Sequence, residues 1–357
     1  MSHPEPLSHI VPRALNEHAH GGRRTVDVSP VPSTLPDLVR HFEHIESAEH
    51  PDVVVETKSI KMSPQGHLEI PRLEGAFALN EWSQSQLGSL LGLRWPRFAE
   101  NATPAELADE VNHRLARATG ELRLRTTARV ADGVSADGSV RAVVSPGYSP
   151  ISDSRVARLL ADVLMPEEVR VTRLHVGEKT TSFVVSVGKH FRPYDGSEVG
   201  DVTGSVLLRN SGTGHSSLFL TLALLRLVCR NGMTVEDGLA VKRTHRGVDD
   251  ARLQSLFATA TEQFMPRVER AARRLADATR HALAESVPAT FERLLQDAKL
   301  PARLLPGLLA AYQQEPRENA FGVSQALTLA AQDVAPEMRI ELESLAGRYI
   351  ATTEVLQ

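Results

Sequence analysis

The stretch of sequence that decides the fold lies at residues 216–247 and reads SSLFLTLALLRLVCRNGMTVEDGLAVKRTHRG. Its apolar first part, residues 218–228, has the length and composition of a buried β-strand. An Asn231-Gly232 pair follows, and these residue types favour the positive φ angles of a tight turn between strands. The stretch ends in a basic cluster formed by Lys242, Arg243, His245 and Arg246. A strand, a turn and a patch of positive charge are therefore predicted side by side.

Composition is typical of a soluble globular protein. The chain has 357 residues, 41% of them hydrophobic, and a net charge of -4, which allows a sizeable core and excludes an overall basic surface. Its apolar run at residues 218–229 is shorter than the roughly 20 residues of a membrane-spanning helix, so no membrane partner is expected. The N-terminus lacks the pattern of a secretory signal, and the single cysteine allows no intrachain disulfide. Both features favour a cytoplasmic location.

Hydrophobic periodicity predicts an α+β fold. Runs with period 2 or rich in β-branched residues indicate strands at residues 52–60, 121–130, 140–145, 169–176, 182–187, 202–208 and 218–228. Helical periodicity indicates helices at residues 35–50, 82–93, 103–118 and 153–163. We expect residues 67–70 to form a hairpin with the first strand. Because the helices interrupt turn-linked strands and do not alternate with them, the prediction is an antiparallel β-sheet core with inserted helices.

Three regions are predicted along the chain. Residues 1–35 contain many prolines and no apolar periodicity, so we expect a disordered N-terminal arm. Residues 36–248 form the α+β core domain. Residues 249–357 are rich in Ala, Leu and Arg and are predicted to be an all-helical C-terminal region, beginning with one long helix over residues 249–285.

Two separated motifs carry a family resemblance. The first is VRAVVSPGYSPISDS at residues 140–154; the second is LRLVCRNGMT at residues 225–234, followed by the basic cluster. Their order resembles a family of uncharacterised phage- and plasmid-associated proteins found in bacterial mobile elements, over roughly residues 80–250. The resemblance implies a context of DNA recombination, replication or anti-restriction and carries no activity with it. This chain departs from the pattern at Pro146-Gly147 and at Ile151-Ser152, which weakens any role carried over to that loop.

Positive charge is concentrated around the second motif. Residues 201–247 contain six basic and three acidic side chains, a net charge of +3 in a chain whose total is -4. Further arginines stand at residues 267–274 in the predicted long helix, and Arg123, Arg125 and Arg129 are expected on the wet face of strand 121–130. Phosphate binding needs several such side chains on one surface. The alternative is that they form ordinary salt bridges on a solvated face.

The leading hypothesis is a non-enzymatic nucleic-acid-binding protein of mobile-element type. Single-stranded DNA is the expected partner, RNA is the alternative ligand, and the helical C-terminal region is expected to form a homo-oligomer. No catalytic residue, cofactor or metal is predicted. The predicted nucleic-acid-binding residues are Arg209, Arg226, Arg230, Lys242, Arg243, His245, Arg246, Arg270 and Arg274.

Two other functions stay open at the level of sequence. One is an enzyme acting on a nucleotide or small molecule around Cys229 and His245, since a thiol near an imidazole is a candidate nucleophile. Against it, a cysteine that ends an apolar strand usually behaves as a small buried hydrophobe, so we expect Cys229 to be structural. The other is a non-enzymatic self-assembly protein.

Overall fold

The structure is a computed structural model and describes residues 26–27, 31–128, 136–164, 169–191, 199, 201–226, 231–235, 241–247, 249–262 and 264–353. Strands and inserted helices make up its first part. From residue 249 onward the described chain is helical apart from loops and one isolated bridge between Ala282 and Asn319. The predicted α+β class with a helical C-terminal region is confirmed.

The strands form two sheets. In chain order they are β1 Val26–Asp27, β2 Val53–Glu56, β3 Lys61–Met62, β4 Leu68–Glu69, β5 Ala76–Leu79, β6 Glu121–Thr127, β7 Gly138–Val144, β8 Val169–Val176, β9 Thr181–Phe191, β10 Val202–Asn210, β11 Leu218–Arg226, β12 Asn231–Val235 and β13 Val241–Arg243. The small sheet has the order β2-β6-β7-β5-β4-β3. The large sheet has the order β1-β8-β9-β10-β11-β12, and β13 also pairs with β11. All of these pairs are antiparallel except β5 with β7.

The helices are, in chain order, α1 Leu35–Glu46, α2 Glu81–Leu91, α3 Trp95–Ala99, α4 Pro104–Arg117, α5 Asp153–Val163, α6 Asp250–Glu262, α7 Phe264–Asp277, α8 Val287–Asp297, α9 Leu305–Gln314, α10 Ala320–Ala330 and α11 Pro336–Thr353. Local signals explain where several of them begin. The start of α4 has a capping box, in which the Thr103 hydroxyl accepts from the Glu106 amide and the Glu106 carboxylate accepts from the Thr103 amide. At α5 the N-cap is Ser152, whose hydroxyl accepts from the Arg155 amide.

Each sheet contributes to its own hydrophobic core. Helices α2, α3 and α4 cover the small sheet. The large sheet shares a core with α1, α5 and all of α6 to α11, so apolar packing continues across the boundary predicted near residue 248. Phe183, Phe257 and Phe321 are fully buried there, and burial of one such ring stabilises the fold by about 1.5–3 kcal/mol.

Several local predictions differ from the structure. Strand β2 pairs with β6, whereas β4 pairs with the short β3 that follows β2. Asn231 and Gly232 do not form a turn; they begin β12 and pair with Arg226 and Leu225. The predicted long helix is described as α6 and α7, which stand on either side of residue 263, a position outside the described part of the chain. Helix α7 ends at Asp277, short of the predicted end at residue 285.

Part of the predicted N-terminal arm is paired. Val26 pairs with Val176 and Asp27 with His175, which makes β1 an edge strand of the large sheet. Ser33 accepts a backbone hydrogen bond from Val171, and Leu35 is buried. These described residues therefore belong to the folded core; the rest of residues 1–30 lies outside the described part of the chain.

The large sheet has helices on both faces. On the core face, Gly204 of β10 lies so close to α7 that an added Cβ would stand 2.6 Å from Val268. On the second face, Ile340 of α11 packs against Val184, Leu207 and Ala223. Glu343 of α11 is 2% exposed and accepts from both terminal nitrogens of Arg173, at 2.7 and 2.9 Å. This bidentate pair holds α11 on the second face.

Candidate nucleic-acid interface

One row of side chains on the second face combines an aromatic ring with two cations. Phe219 of β11 pairs with Arg209 of β10 on one side and with Lys242 of β13 on the other. Residues directly opposite each other on neighbouring strands project from the same face of a sheet. The Arg209 guanidinium lies over the Phe219 ring, 5.7 Å from its centroid, in a cation–π contact. Lys242 is exposed.

A second aromatic–cation pair lies beside this row. Lys179, at the tip of the β8–β9 hairpin, stands 5.4 Å from the centroid of Trp82, which comes from α2. The imidazole of His215 meets the Trp82 ring edge-on at 4.9 Å. We call Trp82, Lys179, Arg209, His215, Phe219 and Lys242 the basic-aromatic patch. Because its rings are only partly covered and its cations are near one another, the patch offers both stacking surface and positive charge.

The patch carries more positive than negative charge, and one carboxylate, that of Glu337, lies near it. Burial lowers the pKa of His215, and the charges of Lys179 and Arg209 lower it further, while Glu337 opposes them. Within the described residues, neither Lys179, Arg209 nor Lys242 takes part in an ion pair. A phosphate group that binds here would not have to displace an ion-pair partner from Lys179, Arg209 or Lys242.

The loop between β10 and β11 holds the two halves of the patch together. The Trp82 indole nitrogen and the Gln86 amide, both on α2, donate to the carbonyl of Thr213 at 3.0 and 2.9 Å. The Ser211 hydroxyl donates to the carbonyl of Lys179 at 2.7 Å. The same loop is thus tied to a helix of the small-sheet core and to the neighbouring hairpin, so the patch is preorganised.

A buried ion-pair network on β6 and β7 contacts this loop through Arg125. Arg125 donates to Glu49 at 3.0 Å, to Asp52 at 3.1 Å and to the carbonyl of Gly212. Arg123 and Arg141 complete it through Asp52 and Glu49. The prediction that Arg125 lies on a wet face is therefore wrong: its side chain is 10% exposed, because the chain after α1 brings two carboxylates onto β6. Arg129 lies outside the described residues.

His245 occupies the interior and not the patch. It is 4% exposed, stacks on Tyr148 at 5.2 Å, and accepts through Nδ1 from the Ile151 amide. Burial, aided by the nearby charge of Arg125, lowers the pKa of His245 to about 4, so it carries no positive charge at neutral pH. Burial raises the pKa of Tyr148 to about 12. The first motif and the basic cluster, predicted separately, are therefore in direct contact.

This placement bears on the enzyme alternative. A general base must reach its substrate, and His245 is enclosed among Tyr148, Ile151 and Ser149, whose amide donates to the His245 carbonyl at 2.8 Å. Cys229, the other half of that hypothesis, lies outside the described residues. Among the described residues no group of three or more His, Cys, Asp or Glu side chains is arranged to hold a metal ion.

The remaining predicted contacts are distributed over different surfaces. Arg243 pairs with Leu218, so it projects toward the core face, and its side chain donates to the carbonyl of Gly247. Arg246 is exposed in the loop after β13. Arg270 and Arg274 lie on α7, which packs on the core face, across the sheet from Lys242.

Two predicted contacts fall at the edge of what the structure describes. The backbone of Arg226 ends β11, and its side chain lies outside the described part, as does the whole of Arg230. The patch also contains Trp82, Lys179 and Phe219, which sequence reasoning missed. Only Phe219 had a local signal: it lies next to Leu218 and Leu220 in the strand and so must face away from their buried side.

None of the described helices combines the length and apolar character needed to cross a membrane. Comparison with known proteins shows no match among curated proteins and none among solved structures. A family model, described as Domain of unknown function (DUF932), matches residues 140–339, which covers the first motif, the second motif and the helices as far as the start of α11. The match begins at residue 140, with the first motif, whereas the resemblance was expected from about residue 80, and it extends further toward the C-terminus than the expected residue 250. Because it covers more than half of the chain, the protein belongs to the DUF932 family.

Proposed function

We propose that this protein binds single-stranded nucleic acid through the basic-aromatic patch. The observation that carries the proposal is the cross-strand row in which Arg209 and Lys242 stand on either side of Phe219 on one face of the large sheet. Proteins that hold single strands combine cations that follow the phosphates with aromatic rings on which bases stack. Trp82 and Lys179 repeat the same pairing a short distance away.

The patch favours unpaired over duplex nucleic acid for a geometric reason. A stacking ring must meet the face of a base, and in a duplex those faces are covered by neighbouring base pairs. Trp82 lies on helix α2 and Phe219 lies on the adjacent sheet face. In these positions the two rings cannot enter a groove of a duplex as a recognition helix does. DNA is the proposed ligand and RNA the alternative, since none of the patch residues points to recognition of a 2′-hydroxyl.

The biological setting remains part of the proposal. The resemblance of residues 140–154 and 225–234 to proteins of phage and plasmid origin supports a role in recombination or replication of a mobile element. Self-association through the C-terminal helices would place several patches along one strand, and such cooperative binding is common among single-strand binders.

The test compares two charge-neutralising variants. We expect Lys179→Gln/Arg209→Gln/Lys242→Gln to weaken binding of an oligo-dT probe. For this triple variant, the slope of log affinity against log salt should be shallower than for the wild-type protein by about 2, because three single-strand phosphate contacts are lost at about 0.7 each. The control is Arg270→Gln/Arg274→Gln on α7, which should leave the slope unchanged because those residues lie across the sheet. Fluorescence anisotropy at several salt concentrations measures both slopes, and circular dichroism shows whether each variant is folded.

Two results would count against the patch. Equal slopes for the wild-type protein and the folded triple variant would show that Lys179, Arg209 and Lys242 touch no phosphate. A loss of slope in the α7 variant alone would place the interface on the core-face side of the large sheet, at Arg270 and Arg274.

A further inference from the structure

Helix α2 leads from the basic-aromatic patch to a second basic region. Trp82 lies in its first turn, and Ser85 and Ser89 follow on the same exposed side. Glu81 is the only charged residue of α2, so the helix surface beyond the first turn presents serine and glutamine side chains and the exposed Leu90, and no carboxylate. Nothing charged on α2 itself would repel a phosphate chain that runs toward its C-terminal end.

At that end lie two adjoining surface cavities. One, of about 550 Å³, is lined by Leu93, Arg94, Arg97, Phe98 and Arg114 among others. The other, of about 420 Å³, lies between α2 and α4 and shares Arg114 with the first. We call the first cavity the α3 groove. Its floor is apolar and its rim carries guanidinium groups, a combination suited to a phosphate attached to a sugar and a base.

The charges around the α3 groove leave a positive excess. Arg114 is committed: it pairs with Glu110 at 2.6 Å and donates to the carbonyl of Leu91 at 2.9 Å, which neutralises the negative end of α2. Arg94 and Arg97 are exposed, and neither forms an ion pair with any residue that the structure describes. The acid on the rim, Glu106, is held in the α4 capping box.

We propose that the α3 groove binds the phosphodiester backbone of the same strand that lies on the basic-aromatic patch. This inference rests on the proposed function and sets the length of the binding site. Helix α2 has 11 residues and is about 16 Å long at 1.5 Å per residue. At about 3.4 Å per nucleotide of stacked strand, the groove is reached about 5 nucleotides beyond Trp82. A probe must exceed that length to touch both regions.

The experiment varies probe length and groove charge together. Labelled oligo-dT of about 4 and about 12 nucleotides, lengths within the range of known single-strand sites, are titrated into the wild-type protein and into Arg94→Gln/Arg97→Gln. The matched control is Lys299→Gln/Arg303→Gln, two exposed cations of the C-terminal region. For the long probe the groove variant should lose about 1.4 in salt slope, two contacts at about 0.7 each. For the short probe it should match the wild-type protein, as the control should for both probes.

Three other results would each contradict a different part of the proposal. If the groove variant binds the long probe as the wild-type protein does, the α3 groove is not part of the site although the patch is. If both probes are weakened equally, the groove is not separated from the patch by the length of α2. If the wild-type protein binds neither probe, the proposed function itself fails. Melting temperatures within error of the wild-type value show that a loss of slope is not a loss of fold.

Discussion

Replacing Arg125 by glutamine tests whether the ion-pair network beneath the β10–β11 loop stabilises the fold. Arg125 bridges Glu49 and Asp52, and its side chain is 10% exposed. Removing one partner of a buried pair typically costs about 3–5 kcal/mol, because a charge is left uncompensated. Here Glu49 keeps Arg141 and Asp52 keeps Arg123, so we expect the lower end, about 3 kcal/mol.

The matched control is Arg293→Gln, which removes an exposed pair with Glu285 at 3.1 Å. Exposed pairs contribute less than about 1 kcal/mol, so the two variants should differ by about 2 kcal/mol in the free energy of unfolding. Equilibrium urea unfolding followed by tryptophan fluorescence measures both values. If Arg125→Gln is no less stable than Arg293→Gln, the network does not hold the loop and the argument for a preorganised patch is wrong.

Two further predictions concern stability. The pKa of His245 is lowered to about 4 from an ordinary value of 6.5. Between these two pH values, His245 binds a proton in the unfolded chain but not in the folded chain. The contribution of His245 should therefore lower stability by at most about 3 kcal/mol as the pH drops from about 6.5 to about 4, and this contribution should change no further below that. The difference between the urea midpoints of the wild-type protein and His245→Gln across this window checks it, and parallel curves would refute it. Gly204→Ala should lower the melting temperature, since its Cβ would stand 2.6 Å from Val268, an overpacking cost of about 1–3 kcal/mol. Gly307→Ala in α9, with no atom within 4 Å of the added Cβ, should be neutral or stabilising, and similar melting temperatures for the two variants would contradict the close approach of α7 to β10.

Local signals predicted the elements well because their causes are local. The capping box of α4 is formed by Thr103 and Glu106, which are only three residues apart in the sequence. Strands β8, β10 and β11 follow from local patterns of apolar and β-branched residues, which need no knowledge of the partner strands. Register is different. Alternation along β6 implied solvent for Arg125, but the carboxylates that bury it come from residues 49 and 52, which reach β6 only in the folded chain.

The patch could not be assembled from the sequence for the same reason. Charge density pointed to Arg209 and Lys242, yet what joins them is their common pairing with Phe219. The density of basic residues predicts one shared surface, but neighbours in a strand project to opposite faces, as Lys242 and Arg243 do. Trp82 enters the patch through a hydrogen bond to a loop about 130 residues away in the chain, and no local pattern indicates such a contact.

The most direct test of single-strand binding at the patch uses Trp82 as a reporter. The chain has two tryptophans, and Trp95 is buried at 4% exposure, so Trp95→Phe leaves Trp82 as the only tryptophan. Titrating oligo-dT into this variant should quench Trp82 fluorescence in a saturable manner, because a base stacks on or beside its ring. The midpoint should move to higher oligonucleotide concentration as salt is added. Unchanged Trp82 emission at concentrations where a labelled probe is fully bound would place the nucleic acid elsewhere, and the absence of any binding would contradict the function proposed for this protein.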